Sequence, residues 1–412
     1  MSLIRPFRGL RPAPGRLPEV AAPPYDVVSV EEARMHAERR PWSFLRISRP
    51  ELELDNGTDP HDEKVYAQGA ESFRRMRDQE ILIQDPVESY YVYRITAGDW
   101  VQTGLAAAAS VAAYEDNRIR RHEHTRPDKV RDRARQIDSL NAHTGPVLMS
   151  YRRSAAVQAI LEEIATPPPA ADVMDEDGVH HALWVVDDIA HVEAINTIFA
   201  QMPCVYIADG HHRSEAAAVV ARARREDRPP VETDAAEYFL AVLFAEDQVR
   251  ILDYNRAVTD LGGLSSEAFL QQVSARVSGA LADSPVRPAA RGEFGMYPAG
   301  NWYQLKLADE LIPASDPVAR VSTSLLSTYV LEPILGVGDP RSDQRLECIG
   351  GSRGLKALQA KVDSGAMAVA FSFYPTPITD LLDVADAERL MPPKSTWFDP
   401  KLADGVVSHL LD

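Results

Sequence analysis

Two rhythms of apolar and polar positions run along this chain, and the changes between them mark its elements. Tyr90 to Ile95 and Trp100 to Tyr114 are dense in β-branched, aromatic and small apolar residues. They read as strands joined by a tight turn at Ala97-Gly98-Asp99. Leu183 to Val186, the run into Asp209, and Ala366 to Phe373 read as further strands. Tyr238 to Glu246 with Arg250 to Arg256, and Gly292 to Leu307 around Gly300-Asn301, read as hairpins. Helical spacing appears in Val30 to Arg39, in 61–79, in the second half of Asp116 to Asp138, in Ala190 to Met202 and from Ser214 onward. It returns in Leu264 to Leu281 and Ser322 to Leu335. Ser29 stands where the first of these helices needs a cap. Prolines at 6, 12, 14, 18, 23 and 24 keep residues 1–25 extended. Pro167 to Pro169 mark a linker within 165–171, the helix after Ser214 stops near the Arg228-Pro229-Pro230 break, and the stretch from Met391 starts irregularly.

The order strand–helix–strand–helix–strand–strand over about 180–258 predicts an α/β core. The expected division is an α+β region over 1–165, the core over 180–258, and a second α+β region over 259–412.

With 412 residues the chain can bury more than one core. Its apolar runs, such as Leu105 to Ala113, are too short to cross a bilayer, so no membrane is expected. Only Cys204 and Cys348 are present and no secretion signal is visible, which fits a reducing cytoplasm. The net charge of −17 argues against a nucleic-acid partner. The stretch Arg118 to Arg135 is locally basic, a pattern that suits a small anionic ligand. Oligomeric state is not legible.

The densest chemistry lies in Val205-Tyr206-Ile207-Ala208-Asp209-Gly210-His211-His212-Arg213-Ser214. A buried strand stops at Asp-Gly and opens into a helix. A helix N-terminus carries unpaired N–H groups and partial positive charge, and an arginine forks onto oxyanions, so this turn is a candidate phosphate site. The residues alone leave a second reading open, a polar helix start whose histidines serve local hydrogen bonds. Lys129 and Arg133, four apart, would share a helical face and could reinforce the pocket, or simply form a charged exposed face. In Arg120-Arg121-His122-Glu123-His124-Thr125 the two histidines would share a face of a strand. Glu123 is a candidate general base, or a carboxylate neutralised by its arginine neighbours. A zinc site would need His122 and His124 completed by His211 or His212. Gly350-Gly351-Ser352 and Pro393-Lys394-Ser395-Thr396 are small-residue loops either of which could face a ligand. No Walker sequence and no dinucleotide-binding glycine fingerprint occurs.

Five motifs appear in order: Pro23-Pro24-Tyr25-Asp26-Val27, His122-Glu123-His124-Thr125, Thr144-Gly145-Pro146, Ile207-Ala208-Asp209-Gly210-His211-His212-Arg213 and Met391-Pro392-Pro393-Lys394-Ser395-Thr396. Together they resemble the bacterial and archaeal "domain of unknown function 1015" family, over nearly the whole chain. The Asp-Gly-His-His-Arg turn also resembles the phosphate turn of the ParB/sulfiredoxin superfamily, and within it that of the free-serine kinases. That resemblance implies a ParB/sulfiredoxin-like mixed α/β core with additional N-terminal and C-terminal α+β regions.

It also implies a small-molecule kinase, a nucleotide-dependent phosphoryl transfer to a hydroxyl metabolite with L-serine as the analogue. Such chemistry rests on positioning and charge neutralisation. ATP or ADP would be the donor, with Mg²⁺. Gly210, His211, His212, Arg213, Ser214, Lys129 and Arg133 would bind phosphate, and Asp209 would hold Mg²⁺ or orient a histidine. Glu123 would take the hydroxyl proton, with His122, Thr125, Lys394 and Ser395 as additional candidates. Two alternatives stay open: a nucleotide-binding ParB-like switch protein, and a metal-dependent hydrolase using His122, His124 and one of His211 and His212.

Overall fold

The alanine-rich run after Trp100 lies in the middle of a nine-stranded mixed sheet in the computed structural model, which describes residues 2–227, 231, 234–298 and 300–412. The sheet runs in the order Ile119–Arg120, Val205–Asp209, Val147–Tyr151, Tyr238–Ala245, Trp100–Ser110, Tyr90–Ala97, Val179–Val186 and Ala171–Met174, with Ile4–Arg5 also paired to Trp100–Ser110. Val147–Tyr151 pairs parallel to Tyr238–Ala245 and antiparallel to Val205–Asp209. Tyr90, Val92, Leu105, Ala107, Met149, Ile207 and Leu243 form its core, each almost fully excluded from water. The hairpin at 97–99 closes as read, with Ala97 opposite Trp100.

The chain divides into two units. The first comprises Met1–Arg121, Thr125–Val249 and Pro400–Asp412, and contains the large sheet. It also contains a four-stranded sheet in the order Leu82–Gln84, Gly9–Pro12, Ser408–Leu410 and Ala142–His143, which ties the C-terminal segment to the N-terminal one. The second comprises His122–His124 and Arg250–Asp399. Its antiparallel sheet runs Ser278–Ala282, Trp302–Lys306, Glu293–Pro298, Val369–Phe373, Tyr254–Val258 and Leu346–Gly350, and buries Val258, Phe269, Phe294, Leu326, Val369 and Phe371.

The mixed α/β class is as expected. The large sheet, however, recruits Tyr90–Ala97, Trp100–Ser110 and Val147–Tyr151 from outside the 180–258 segment, so the units differ from the expected division at 165, 180 and 258. Tyr238–Ala245 does not pair with Tyr254–Val258 as a hairpin. The first joins Trp100–Ser110 and Val147–Tyr151, the second joins strands of the other unit. Runs this apolar are buried on both faces, and nothing local names their partners. The strand from Trp100 stops at Ser110, whose side chain accepts from the Ala113 amide and caps the helix Val111–Glu115. The helix expected over Leu264 to Leu281 covers Ser266–Ser274 only, because Ser278–Ala282 pairs with Trp302–Lys306. Within 1–25 one helical turn forms at Leu17–Val20, with proline in its first turn, where a missing N–H costs nothing. The Arg228-Pro229-Pro230 break lies outside the described residues.

Ser29 caps Val30–Glu38 in a full capping box, with Glu32 returning a bond to the Ser29 amide at 2.7 Å. Among the described residues no helix is long and apolar enough to cross a membrane.

Candidate functional site

The strand Val205–Asp209 ends at Gly210, and the helix His211–Asp227 begins at the next residue. Gly210 has φ +98°, a conformation that side chains with a Cβ rarely adopt. The amides of Arg213 and Ser214 both donate to the Gly210 carbonyl, at 2.9 and 3.0 Å. This tight first turn carries Arg213 back across the glycine. A Cβ at Gly210 would lie 3.1 Å from Arg213 Nε, and one at Gly145 would lie 3.3 Å from Arg213 Cδ. The arginine therefore runs through a slot that two glycines leave open, and its guanidinium also donates to the Pro146 carbonyl.

Beside Arg213 lies a cavity of about 30 Å³, lined by Tyr25, Ser48, Arg133, Gln136, Ile137, His143, Thr144, Gly145, Arg213 and Asp404. All ten residues belong to the first unit. Tyr25 and Arg213 are half-buried, so the cavity reaches the surface there. It has room for at least one water-sized group.

Arg133 enters from the helix Pro127–Leu140. Its guanidinium lies over the Tyr25 ring at 4.3 Å and is held by Asp132 at 2.7 Å. Asp132 also accepts from the Tyr66 hydroxyl at 2.7 Å. The Tyr25 turn is pinned by Arg49, which donates to the carbonyls of Tyr25 and Val28. Burial raises the Tyr25 phenol above its ordinary value, against the lowering pull of Arg133. Burial alone would weaken the Arg213 cation, but Asp26, Asp209, Tyr25 and Asp404 outweigh that and hold it firmly charged.

No sequence motif marks Asp404. It is 1% exposed, and neither carboxylate oxygen has a well-formed hydrogen bond. Burial pushes its carboxyl up to about 7, against the lowering field of Arg213 and the nearby Ser48 hydroxyl and Tyr25 amide. Lys401, from the same segment, pairs with Asp209 at 2.9 Å. Burial opposes ionisation of Asp209, but Lys401 and Arg213 hold its carboxyl well below the usual range. Magnesium does not fit Asp209 as it stands. Lys401 already occupies Oδ2, and Arg213 and His211 add to the positive field there.

The remaining sequence-predicted residues fall as follows. His212 Nε2 accepts from the Arg126 amide at 3.0 Å, which leaves the Nδ1 side of a neutral ring as its donor. His211 is buried. Ser214 is fully buried and donates to the His211 carbonyl, so its hydroxyl serves the helix. Lys129 is exposed and does not line the cavity. Thr125 is half-buried in the first unit.

His122, Glu123 and His124 are not a strand, since pairing stops at Arg120. They group with the second unit, where the His122 carbonyl accepts from the Met391 amide at 2.7 Å. In that unit Lys394 has left-handed backbone, φ +59°, and its ammonium lies 5.8 Å from the Tyr254 ring centroid. Burial would weaken this cation, but Tyr254 and Glu123 outweigh it and raise its pKa. Ser395 is structural, bonded to the Thr323 hydroxyl and the Pro392 carbonyl.

Tyr25, Thr144, Gly145 and Arg213 meet at the cavity of the first unit, while His122, Glu123, Met391 and Lys394 meet in the second. A wider hollow of about 620 Å³, bordered by Arg5, Arg8, Gln84 and His409, contains none of the predicted residues.

A family model described as "Protein of unknown function (DUF1015)" matches residues 4–327. No curated protein matches. Among solved structures, SbnI with a C-terminal truncation, from Staphylococcus aureus, is 12% identical with a TM-score of 0.40, over 73% of this chain and 85% of that one. A conserved hypothetical protein from Pyrococcus furiosus is 11% identical with a TM-score of 0.35, over 73% and 93%. A free serine kinase in complex with AMP is 10% identical with a TM-score of 0.33, over 71% and 86%.

Proposed function

The chain belongs to the DUF1015 family, and from that premise we propose that it is a nucleotide-dependent phosphotransferase acting on a small hydroxyl metabolite. The observation that carries this reading is the seating of Arg213: two glycines clear its path, and it lines one cavity with Arg133, Tyr25 and Thr144. Guanidinium geometry matches phosphate oxygens, and phosphoryl transfer asks a protein chiefly to position and neutralise them. Arg213 forks onto the transferred phosphate, and Arg133, paired with Asp132, lines the same cavity. The first turn of the helix His211–Asp227 adds its positive end. His212, at the start of the same helix, is a further candidate for binding the phosphate.

The hydroxyl proton falls, on the family resemblance, to Glu123, whose carboxylate lies in the field of Lys394. The donor is ATP or ADP. The free serine kinases found among the structural neighbours, with AMP or ADP bound, point the same way for the nucleotide, and L-serine is the first acceptor to try.

The test is a screen of ATP and ADP, with and without Mg²⁺, against amino acids and polyols, with new phosphomonoesters read by mass spectrometry. Glu123→Gln is expected to abolish transfer while leaving nucleotide affinity intact, and Arg213→Ala to lose both. Full transfer activity in either variant removes that residue from the assignment.

A further inference from the structure

The charges around the cavity are nearly balanced. Arg133 is paired with Asp132, and Lys401 with Asp209. That leaves Arg213 facing Asp404 in the cavity wall, with Asp26 at the exposed rim. If Asp404 is ionised, the cavity presents a carboxylate to any incoming anion. If it is protonated, Arg213 is left for the ligand, and the carboxyl O–H becomes a donor. The side chain is 1% exposed, lines the cavity and has no well-formed hydrogen bond of its own.

We propose that Asp404 is an anion ligand in its neutral form, donating a hydrogen bond to one oxygen of a phosphoryl-type oxyanion on Arg213, so that binding takes up one proton. This rests on the reading of Arg213 as a phosphate residue and adds a residue and a proton to it. Arg213 and Asp404 both line this small cavity, so an oxyanion that enters it meets both side chains. The unliganded carboxyl already titrates near neutrality because of its burial. An added negative charge moves it further in the same direction.

The other groups facing Asp404 do not imitate this. Arg213 and Arg133 stay charged, and Tyr25 is raised above its ordinary range by burial. His143 is held well below its ordinary value by burial, and so stays neutral. Ser48 carries no charge, Asp26 is exposed, and Lys401 on the same segment is paired with Asp209.

The experiment is isothermal calorimetry of the full chain with inorganic sulfate, which stays a dianion from pH 6 to 8.5, in buffers of differing ionisation enthalpy. The wild-type protein is expected to take up about 0.9 proton per sulfate at pH 8 and about 0.1 at pH 6, with affinity falling about tenfold per pH unit above 7. Asp404→Asn is expected to bind sulfate with no proton uptake and no pH dependence over this range. Sulfate binding without uptake in the wild-type protein, or uptake that survives in Asp404→Asn, overturns the role of Asp404 and leaves the anion site standing. Absence of sulfate binding at every pH overturns both. The proton count in the wild-type protein needs no variant, so a misfolded Asp404→Asn does not spoil the test.

Discussion

A methyl group at Gly210 should damage both the fold and the site, and Gly145 supplies the control. Gly210→Ala forces φ +98° on a residue with a Cβ, a strain of about 1–3 kcal/mol. The same Cβ meets Arg213 at Nε, Cζ and Nη2, at 3.1, 3.2 and 3.3 Å, so the guanidinium must shift by a few tenths of an ångström. It cannot shift freely, because Gly145 borders its aliphatic stem and the Pro146 carbonyl holds Nη1. Losing alignment of a charge-assisted bond costs about 1.5–3 kcal/mol, equivalent to an affinity loss of about 10- to 150-fold.

Gly145→Ala brings no positive-φ strain and only presses on Arg213 Cδ at 3.3 Å. Its expected cost is under about 1 kcal/mol of stability and about 3- to 10-fold in anion affinity. Denaturant unfolding reads the stability and calorimetry with ADP reads the affinity. If Gly210→Ala loses stability but binds ADP as tightly as the wild-type chain, the glycine serves only the backbone, and the placement of Arg213 is not what holds phosphate.

Two further outcomes follow from the charges. Asp404 is raised from an ordinary 3.8 to about 7, so the folded state holds its proton where the unfolded chain has lost it. Its contribution to stability is therefore full below pH 4, declines as pH rises through 7 and is flat above, a loss of about 4 kcal/mol at about 1.4 kcal/mol per unit. Urea unfolding of wild-type and Asp404→Asn chains from pH 4 to 8.5 should show their difference following that curve; parallel profiles would show that the carboxyl ionises normally.

Asp209 has the opposite sign. Its carboxyl is depressed, so the pair with Lys401 stabilises above the ordinary carboxylate range and is lost as pH falls through the folded value. Both side chains are partly exposed, 23% for Lys401 and 33% for Asp209, so Lys401→Met should cost only about 1–2 kcal/mol at pH 7. That gap should narrow steadily as pH falls below the ordinary carboxylate range, and a gap that stays constant there would point to packing of the lysine stem.

What was legible in the sequence was local. Ser29 and Glu32 sit at capping-box spacing, and the structure makes both bonds. Gly210 stands where the strand–helix turn demands positive φ, and it adopts one. Arg133 and Arg213 were read separately as phosphate residues and converge on one cavity, whereas Lys129, one turn from Arg133, faces solvent. What was not legible depended on distant partners. Tyr238–Ala245 gave no sign that Trp100–Ser110 and Val147–Tyr151 would flank it. The alternation in His122-Glu123-His124 suited a strand, but the ladder to Val205–Tyr206 ends two residues earlier. Asp404 and Lys401 reach the turn because Ser408–Leu410 pairs with Gly9–Pro12 and Ala142–His143, a closure across almost the whole chain that no spacing encodes. The Pro23-Pro24-Tyr25-Asp26 and Thr144-Gly145-Pro146 motifs were the hints that remote segments complete the pocket.

The most direct test is a crystal structure of the full chain grown with ADP. The account predicts a phosphate oxygen within about 3 Å of the Arg213 guanidinium, with a second oxygen directed at the cavity shared with Arg133 and Asp404. A well-ordered nucleotide whose phosphates lie elsewhere, with Arg213 still donating to the Pro146 carbonyl, would contradict it.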